Sequence, residues 1–365
     1  MLNILKSVFA EKKAAPPKDT AADDRILLNA YCSNGDPPTM TFPHDLLGDR
    51  DHGDPELGKH LDGFMGYVQS RGDGAMTRTR YHLLRHIQKV RRHVSVVVPA
   101  EHLAAFHAWA LEANAILFLQ NGNIHDPAGL LLQASDGAQE DPAAQIPYPQ
   151  EAFERKARTD RLLAERAIHV PSSLPPVIAV PEVSLRSPQE VAARVLALFA
   201  VALRAEFLSE HKDLSLDEIG TRLPLALAAA TPRELAFLQE ATPAAQDLAQ
   251  FGWRYEGVNL LAWAIGLIDK LPFPDAICDV GHLASLVLDA DAEELISRAV
   301  LRPAAELIDA LDLHYRLHWA VRQADIDGKN APDGVIPGVV LERHHALNWL
   351  ARFENADWDD VDTPT

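Results

Sequence analysis

The pattern of apolar and polar positions changes character once along the chain. Up to about residue 134, apolar runs of strand length alternate with amphipathic stretches. "RILLNAYCS" (25–33), "HVSVVVP" (93–99) and "AILFLQ" (115–120) are bounded by turn residues and predict strands. Residues 56–71, 76–93 and 101–114 carry helical spacing. Asn121-Gly122 separates two apolar runs and predicts a hairpin with a type I′ turn, whose two central residues both take positive φ. Helices interleaved with a few strands predict a small α/β sandwich over residues 25–149, with the strand order left open.

Residues 135–149 are polar and proline-containing, hence a loop. A charged helix at 150–168 and the proline-rich run "HVPSSLPPVIAVPEVSLRSP" (169–188) form a connector, because proline can neither donate to a helix nor fit inside one. From 189 to 365 every pattern is helical. Ser187 with Pro188 predicts an N-cap and first helical position, and Thr231 with Pro232 repeats the device, with Glu234 as capping-box partner. Thr242 with Pro243 predicts a third such start. Helices are expected at about 291–300, 303–326 and 338–354, and "GVNLLAWAIGLI" (257–268) reads as a buried helix. The expected fold class is α+β: a small N-terminal α/β sandwich followed by an all-α domain with an acidic C-terminal tail. Residues 1–24 read as an arm and linker. Their apolar residues precede the lysines, the reverse of a signal peptide.

Composition narrows the partners. A chain of 365 residues is long for one core, which favours two domains. Hydrophobic content of 47% excludes a disordered chain. The 34 basic and 52 acidic residues give −18, which argues against nucleic acid or an anionic membrane as partner. No run approaches the ~20 apolar residues of a membrane span. Cys32 and Cys278 lie far apart without metal-ligand spacing and fit reduced thiols, so a cytoplasmic location is expected.

Three long stretches, "FGWRYEGVNLLAWAIGLIDKLPFPDAICDV", "LDLHYRLHWAVRQA" and "GVVLERHHALNWLARFENADWDDVDT", resemble a bacterial family known as a domain of unknown function, DUF4272. The resemblance runs from about 155 to 362, and the N-terminal part looks like the extension of longer members. It implies no activity, ligand or catalytic residue, so chemistry has to be read from the residues themselves.

His314 and His318 are four apart and fall on the apolar stripe of Ala304, Leu307, Ile308, Leu311 and Tyr315. That spacing suits two ligands of one metal, yet Tyr315 stands where a zinc peptidase has its glutamate. Glu342 lies on the stripe of the following helix and could meet His314, His318 or Arg322. Glu342 and His345 form a Glu-x-x-His pair, half of what a di-iron bundle uses. The nearest second half, Asp279 and His282, reads as loop. The competing reading is a structural ion-pair and histidine network: Arg254, on an apolar face, needs a carboxylate, with Glu342, Asp312 and Glu256 the candidates. The structural reading is preferred, with one transition metal on His314, His318 and Glu342 as the alternative.

The segment 76–93 carries Arg78, Arg80, Arg85, Lys89, Arg91 and Arg92 without an acid. It reads as a docking surface for an anionic partner, or as a solvated face that meets this chain's own acids, such as 49–56. Without interleaved aromatic residues it does not suggest base stacking. Nucleotide-binding glycine loops and nucleophile elbows are absent. The function expected is that of a non-enzymatic interaction or regulatory protein with a protein partner and no cofactor. The alternative is a metal-binding protein or metal-dependent enzyme.

Overall fold

The computed structural model describes residues 24–72, 74–137 and 139–365. The chain divides into two units, Met1–Pro149 and Gln150–Thr365. Apart from Asp24, the arm expected at 1–24 lies outside the described residues.

In the first unit, β1 (Arg25–Cys32), β2 (Asp45–Asp51), β3 (Arg92–Pro99), β4 (Ala115–Leu119), β5 (Ile124–His125) and β6 (Leu131–Gln133) form one antiparallel sheet. Its order is β2-β3-β1-β4-β5-β6. Side chains alternate between two buried faces, as the pleat requires. Leu28, Ala30 and Cys32 of β1 join Val94, Val96 and Val98 of β3 on one face, under Phe106 and Trp109 of helix α3 (Leu103–Glu112) once α1 (Pro55–Gln69) and α2 (Arg78–Gln88) have crossed the other. On that other face Tyr31, Ile116 and Phe118 pack on Phe64 and Val68 of α1 and on Leu83 and Ile87 of α2. The fold class is α+β, with helices on both faces of the sheet.

Strand β2 escapes the hydrophobic pattern because it is an edge. "DLLGDRD" carries three acids and a glycine and leaves Leu46 and Leu47 exposed. Pairing of β2 with β3 shifts register between Leu46 and Gly48, and charge holds its far end: Arg92 donates to both carboxylate oxygens of Asp49, at 2.8 and 2.6 Å. Charged, bulged edges are how sheets avoid pairing with other chains. The hairpin between β4 and β5 is present, but its turn differs from type I′, since Gly122 has φ of +83° and Asn121 is not left-handed. A side chain could not replace that glycine. A Cβ there would stand 2.5 Å from the Tyr67 hydroxyl, which donates to the Gly122 carbonyl.

The second unit takes in the connector. Its helices are α4 (Gln150–Glu165), α5 (Pro188–Ser209), α6 (Leu216–Arg222), α7 (Ala226–Ala229), α8 (Pro232–Gln239), α9 (Ala245–Gly252), α10 (Arg254–Ala264), α11 (Val280–Leu288), α12 (Ala292–Arg298), α13 (Ala304–Ile326) and α14 (Pro337–Leu350). The unit has no strand among the described residues. Ser187 caps α5 and Thr231 caps α8, each with its capping-box glutamate. The third expected start is different: α9 begins at Ala245, and its N-cap Ala244 offers no side chain. Thr242 sits in a turn in which its amide donates to Glu240. Asp279, expected in a loop with His282, is the N-cap of α11 and accepts from the His282 amide at 2.9 Å.

The core of this unit gathers round α5 and α10, whose residues are buried on nearly every side. A smaller cluster joins Leu163 of α4, Leu317 and Ala320 of α13 and Val340 of α14. No helix among the described residues is long and apolar enough to cross a membrane.

Candidate functional site: a buried ion-pair and histidine cluster

Three helices of the second unit bring charge into its interior. Helix α10 supplies Arg254 and Glu256, α14 supplies Glu342, Arg343, His344 and His345, and α13 supplies Asp312, His314, Arg316 and His318. A helix with one polar face could send these groups to water. Helices α10 and α14 have no such face, so each charge has to find its partner inside.

The pairs cross between α10 and α14. Arg254 donates from Nη1 to Glu342 Oε2 at 2.7 Å. In return, Arg343 of α14 donates from Nε to Glu256 Oε2 at 3.0 Å, with Nη2 2.9 Å from the same oxygen. The second oxygen of Glu256 accepts from the Cys278 amide at 2.6 Å, and Arg343 Nη1 donates to the Pro272 carbonyl at 2.8 Å. Within α13, Arg316 grips Asp312 four residues earlier through two bonds of 3.0 and 2.8 Å, and both side chains are wholly buried. A fourth pair, Arg194 of α5 with Glu234 of α8, closes the other side of the cluster. Burial pushes the Glu342 carboxyl above its usual range, and Arg254 draws it back only in part.

The histidines are held neutral. His314 donates from Nδ1 to the Ala310 carbonyl at 2.8 Å, which fixes the proton on that nitrogen. Its Nε2 is buried with no hydrogen-bond partner among the described residues. His318 and His344 face each other through their Nδ1 atoms at 2.9 Å, so one donates to the other. Burial lowers the pKa of His314 to about 3 and, with Arg322 nearby, that of His318 to about 4. His344 is lowered well below its ordinary value by burial and by the neighbouring imidazoles of His318, His314 and His345. His345 turns its ring edge to Trp358, 4.6 Å between centroids, and burial lowers it to about 3.

Sequence-level candidates therefore separate. The carboxylate that Arg254 requires is Glu342, which is thereby not shared with His314 or His318. Asp312 and Glu256 serve other arginines. His345 faces Trp358, so the Glu-x-x-His pair does not converge. Arg322 is exposed and reaches Thr365 at 3.3 Å, outside the cluster. Among the described residues no group of three or more His, Cys, Asp or Glu side chains is placed to hold a metal ion.

Arg316, Arg343, His344, Arg194 and Trp358 belong to the cluster without having been candidates. Asp312-x-x-x-Arg316 is a readable signal, being the i,i+4 spacing of a helical ion pair. Arg343, His344 and Arg194 sit on helices buried all round, where a stripe singles out nothing, and Trp358 lies beyond the last helix. Neither cysteine offers a ready nucleophile: burial pushes the Cys32 thiol up to about 12, and burial with Glu256 pushes that of Cys278 higher still.

In the first unit the basic segment is only partly a surface. Arg80 is buried, capping the Ala75 carbonyl and donating to that of Arg71 at 2.8 Å, so it packs the start of α2 rather than facing a partner. Arg92 is engaged by Asp49. Arg85 donates to Gln88 at 2.7 Å and the Lys89 ammonium lies 4.7 Å over the Tyr148 ring. Arg78 and Arg91 complete the segment, with Arg91 packed beside Gly35.

Neither a curated protein nor a solved structure matches the chain. A family model does, over residues 155–361, more than half the chain and including α5, α10, α13, α14 and Trp358. The buried ion-pair cluster thus lies wholly within the matched region, and the chain belongs to the family described as a domain of unknown function, DUF4272.

Proposed function

We propose that this is a non-enzymatic interaction or regulatory protein, cytoplasmic, whose helical unit is a scaffold built round the buried cluster. One observation carries this reading. Every carboxylate of the cluster is paired with an arginine: Glu342 with Arg254, Glu256 with Arg343, Asp312 with Arg316 and Glu234 with Arg194. A carboxylate held in such an ion pair is a poor general base and a poor metal ligand, so these groups are spent on structure. In the first unit, the part of the basic segment at Arg78, Arg85, Lys89 and Arg91 is the surface offered to an acidic protein partner.

A second reading, a transition-metal protein, is favoured by the His318–His344 contact and the unpartnered Nε2 of His314. Its ligands would be these three imidazoles, with His344 in the place expected for Glu342, and they would have to rearrange, since no such group among the described residues is placed to hold a metal ion. Elemental analysis of untagged protein purified without chelator, beside His314→Ala and His344→Ala variants, separates the two. The scaffold reading expects no stoichiometric metal and less stable variants. About one equivalent of a transition metal, lost in both variants, would replace it with the metal reading.

A further inference from the structure

Beyond α14 the chain turns back across the cluster it has just completed. Residues 356–362 form a strap folded through a turn, in which the amides of Asp360 and Val361 donate to the Asp357 carbonyl at 3.1 and 2.9 Å. Trp358 at its centre is 3% exposed, with its ring 5.3 Å from that of Trp349. The guanidinium groups of Arg194 and Arg254 stand 4.8 and 5.8 Å over the Trp358 ring. On the rim, Asp359 accepts from the Thr231 hydroxyl at 2.8 Å and the Arg233 amide at 3.3 Å, at the start of α8. Arg186 donates to the Ala356 carbonyl at 2.6 Å, and the Asn348 amide to that of Asp362 at 2.8 Å. The groove is thus a slot for an aromatic ring within reach of two cations, beside a helix N-terminus that takes a carboxylate.

Two features make the strap a poor permanent lid. Its joint to α14 is strained: Arg352, Glu354 and Asn355 all adopt left-handed backbone, with φ of 49°, 54° and 53°. Residues with a side chain disfavour that region, and three in four positions persist only while contacts elsewhere hold them. Beneath the ring, the fit is incomplete. Trp358 Nε1, Arg194 Nε and Arg254 Nε are buried without hydrogen-bond partners among the described residues.

We propose that residues 356–362 are a releasable strap, and that the groove beneath them binds an acidic peptide segment of a partner protein carrying a tryptophan, in exchange for the strap's own Trp358-Asp359. This rests on the reading of the helical unit as an interaction scaffold and names the chemistry of its ligand. A tethered strap competes at an effective concentration of order millimolar, so a free peptide binds well only when the strap is weakened.

The probe is a fluorescein-labelled peptide of residues 354–364, with binding read by anisotropy on the full chain and on Asp359→Ala. That variant removes only the exposed rim contacts and leaves the core intact. Binding at least tenfold tighter to Asp359→Ala than to the unaltered chain is expected, and none by a peptide with alanine at the tryptophan position. Hydrogen exchange on the unaltered chain should show amides 356–362 opening at least tenfold faster than those of α10. Equal binding by both chains, equal binding of the alanine peptide, or strap exchange as slow as that of α10 would each overturn the proposal. Failure of the scaffold reading is seen separately, as bound metal in the same preparations.

Discussion

Arg254 and Glu342, 88 positions apart, meet through a 2.7 Å hydrogen bond with both side chains nine-tenths buried. The same two helices are joined a second time by Arg343 and Glu256. This crossed arrangement ties α10 to α14 in one register. A slip of either helix would leave two guanidiniums and two carboxylates buried without partners. Burying an ion pair gains little over apolar packing, but breaking one is costly. The pairs therefore specify the packing more than they stabilise it.

The first prediction concerns the second pair. Glu256→Ala leaves Arg343, wholly buried, without its carboxylate and frees the Cys278 amide. It should lower stability by about 3–5 kcal/mol. Replacing both residues, as Glu256→Leu with Arg343→Met, should recover most of that loss. Urea denaturation of the two variants checks this, and a double replacement as unstable as the single would count against it.

Acid should weaken the helical unit. Unfolded histidines titrate near about 6.5, whereas His314, His318 and His345 are lowered to about 3, 4 and 3 in the folded chain. Between those values the unfolded chain binds protons that the folded chain refuses, so stability rises with pH across the window. It is fully present above about 6.5 and lost as pH falls, each histidine contributing about 1.4 kcal/mol per pH unit. The urea midpoint should hold between pH 8 and 7 and fall steeply by pH 5. A midpoint unchanged at pH 5 would show that these imidazoles are not held neutral.

Two hydroxyl-proline dipeptides should respond differently. Ser187 accepts from the Glu190 amide and caps α5, so Ser187→Ala should cost about 1 kcal/mol. Thr242, also followed by proline, caps nothing, and Thr242→Ala should cost less than about 0.5 kcal/mol. Thermal denaturation of the two variants side by side decides the point.

The basic segment divides in the same way. Arg80→Ala should destabilise the first unit by about 1–3 kcal/mol, because its buried guanidinium satisfies two carbonyls. Arg85→Glu should leave stability nearly unchanged and weaken only the binding of an acidic partner. A large loss of stability with Arg85→Glu would remove that residue from the proposed surface.

What the sequence made legible follows from how local the signal is. Strands β1, β3 and β4 and the caps of α5 and α8 are written in alternation or in adjacent residues, and all appear where expected. Strand β2 is not, since an edge strand held by Asp49 and Arg92 needs no apolar alternation. In the cluster, the demand of Arg254 for a carboxylate was legible because a cation on an apolar helix face has no other resort. Which carboxylate answered was not, because it depends on how two helices 88 residues apart are registered. Arg343 and His344 were hidden by their neighbours: on a helix buried all round, "ERHH" offers no exposed face from which to exclude any of them.

The account turns on the claim that the cluster is structural, and a double-mutant cycle on Arg254 and Glu342 tests it most directly. Arg254→Met, Glu342→Leu and the double variant would be compared with the unaltered chain by urea denaturation. The account predicts that each single change costs about 3–5 kcal/mol and the double change far less than their sum, a coupling of at least about 2 kcal/mol. Additive losses, with no coupling, would contradict it and show that Glu342 serves something other than Arg254.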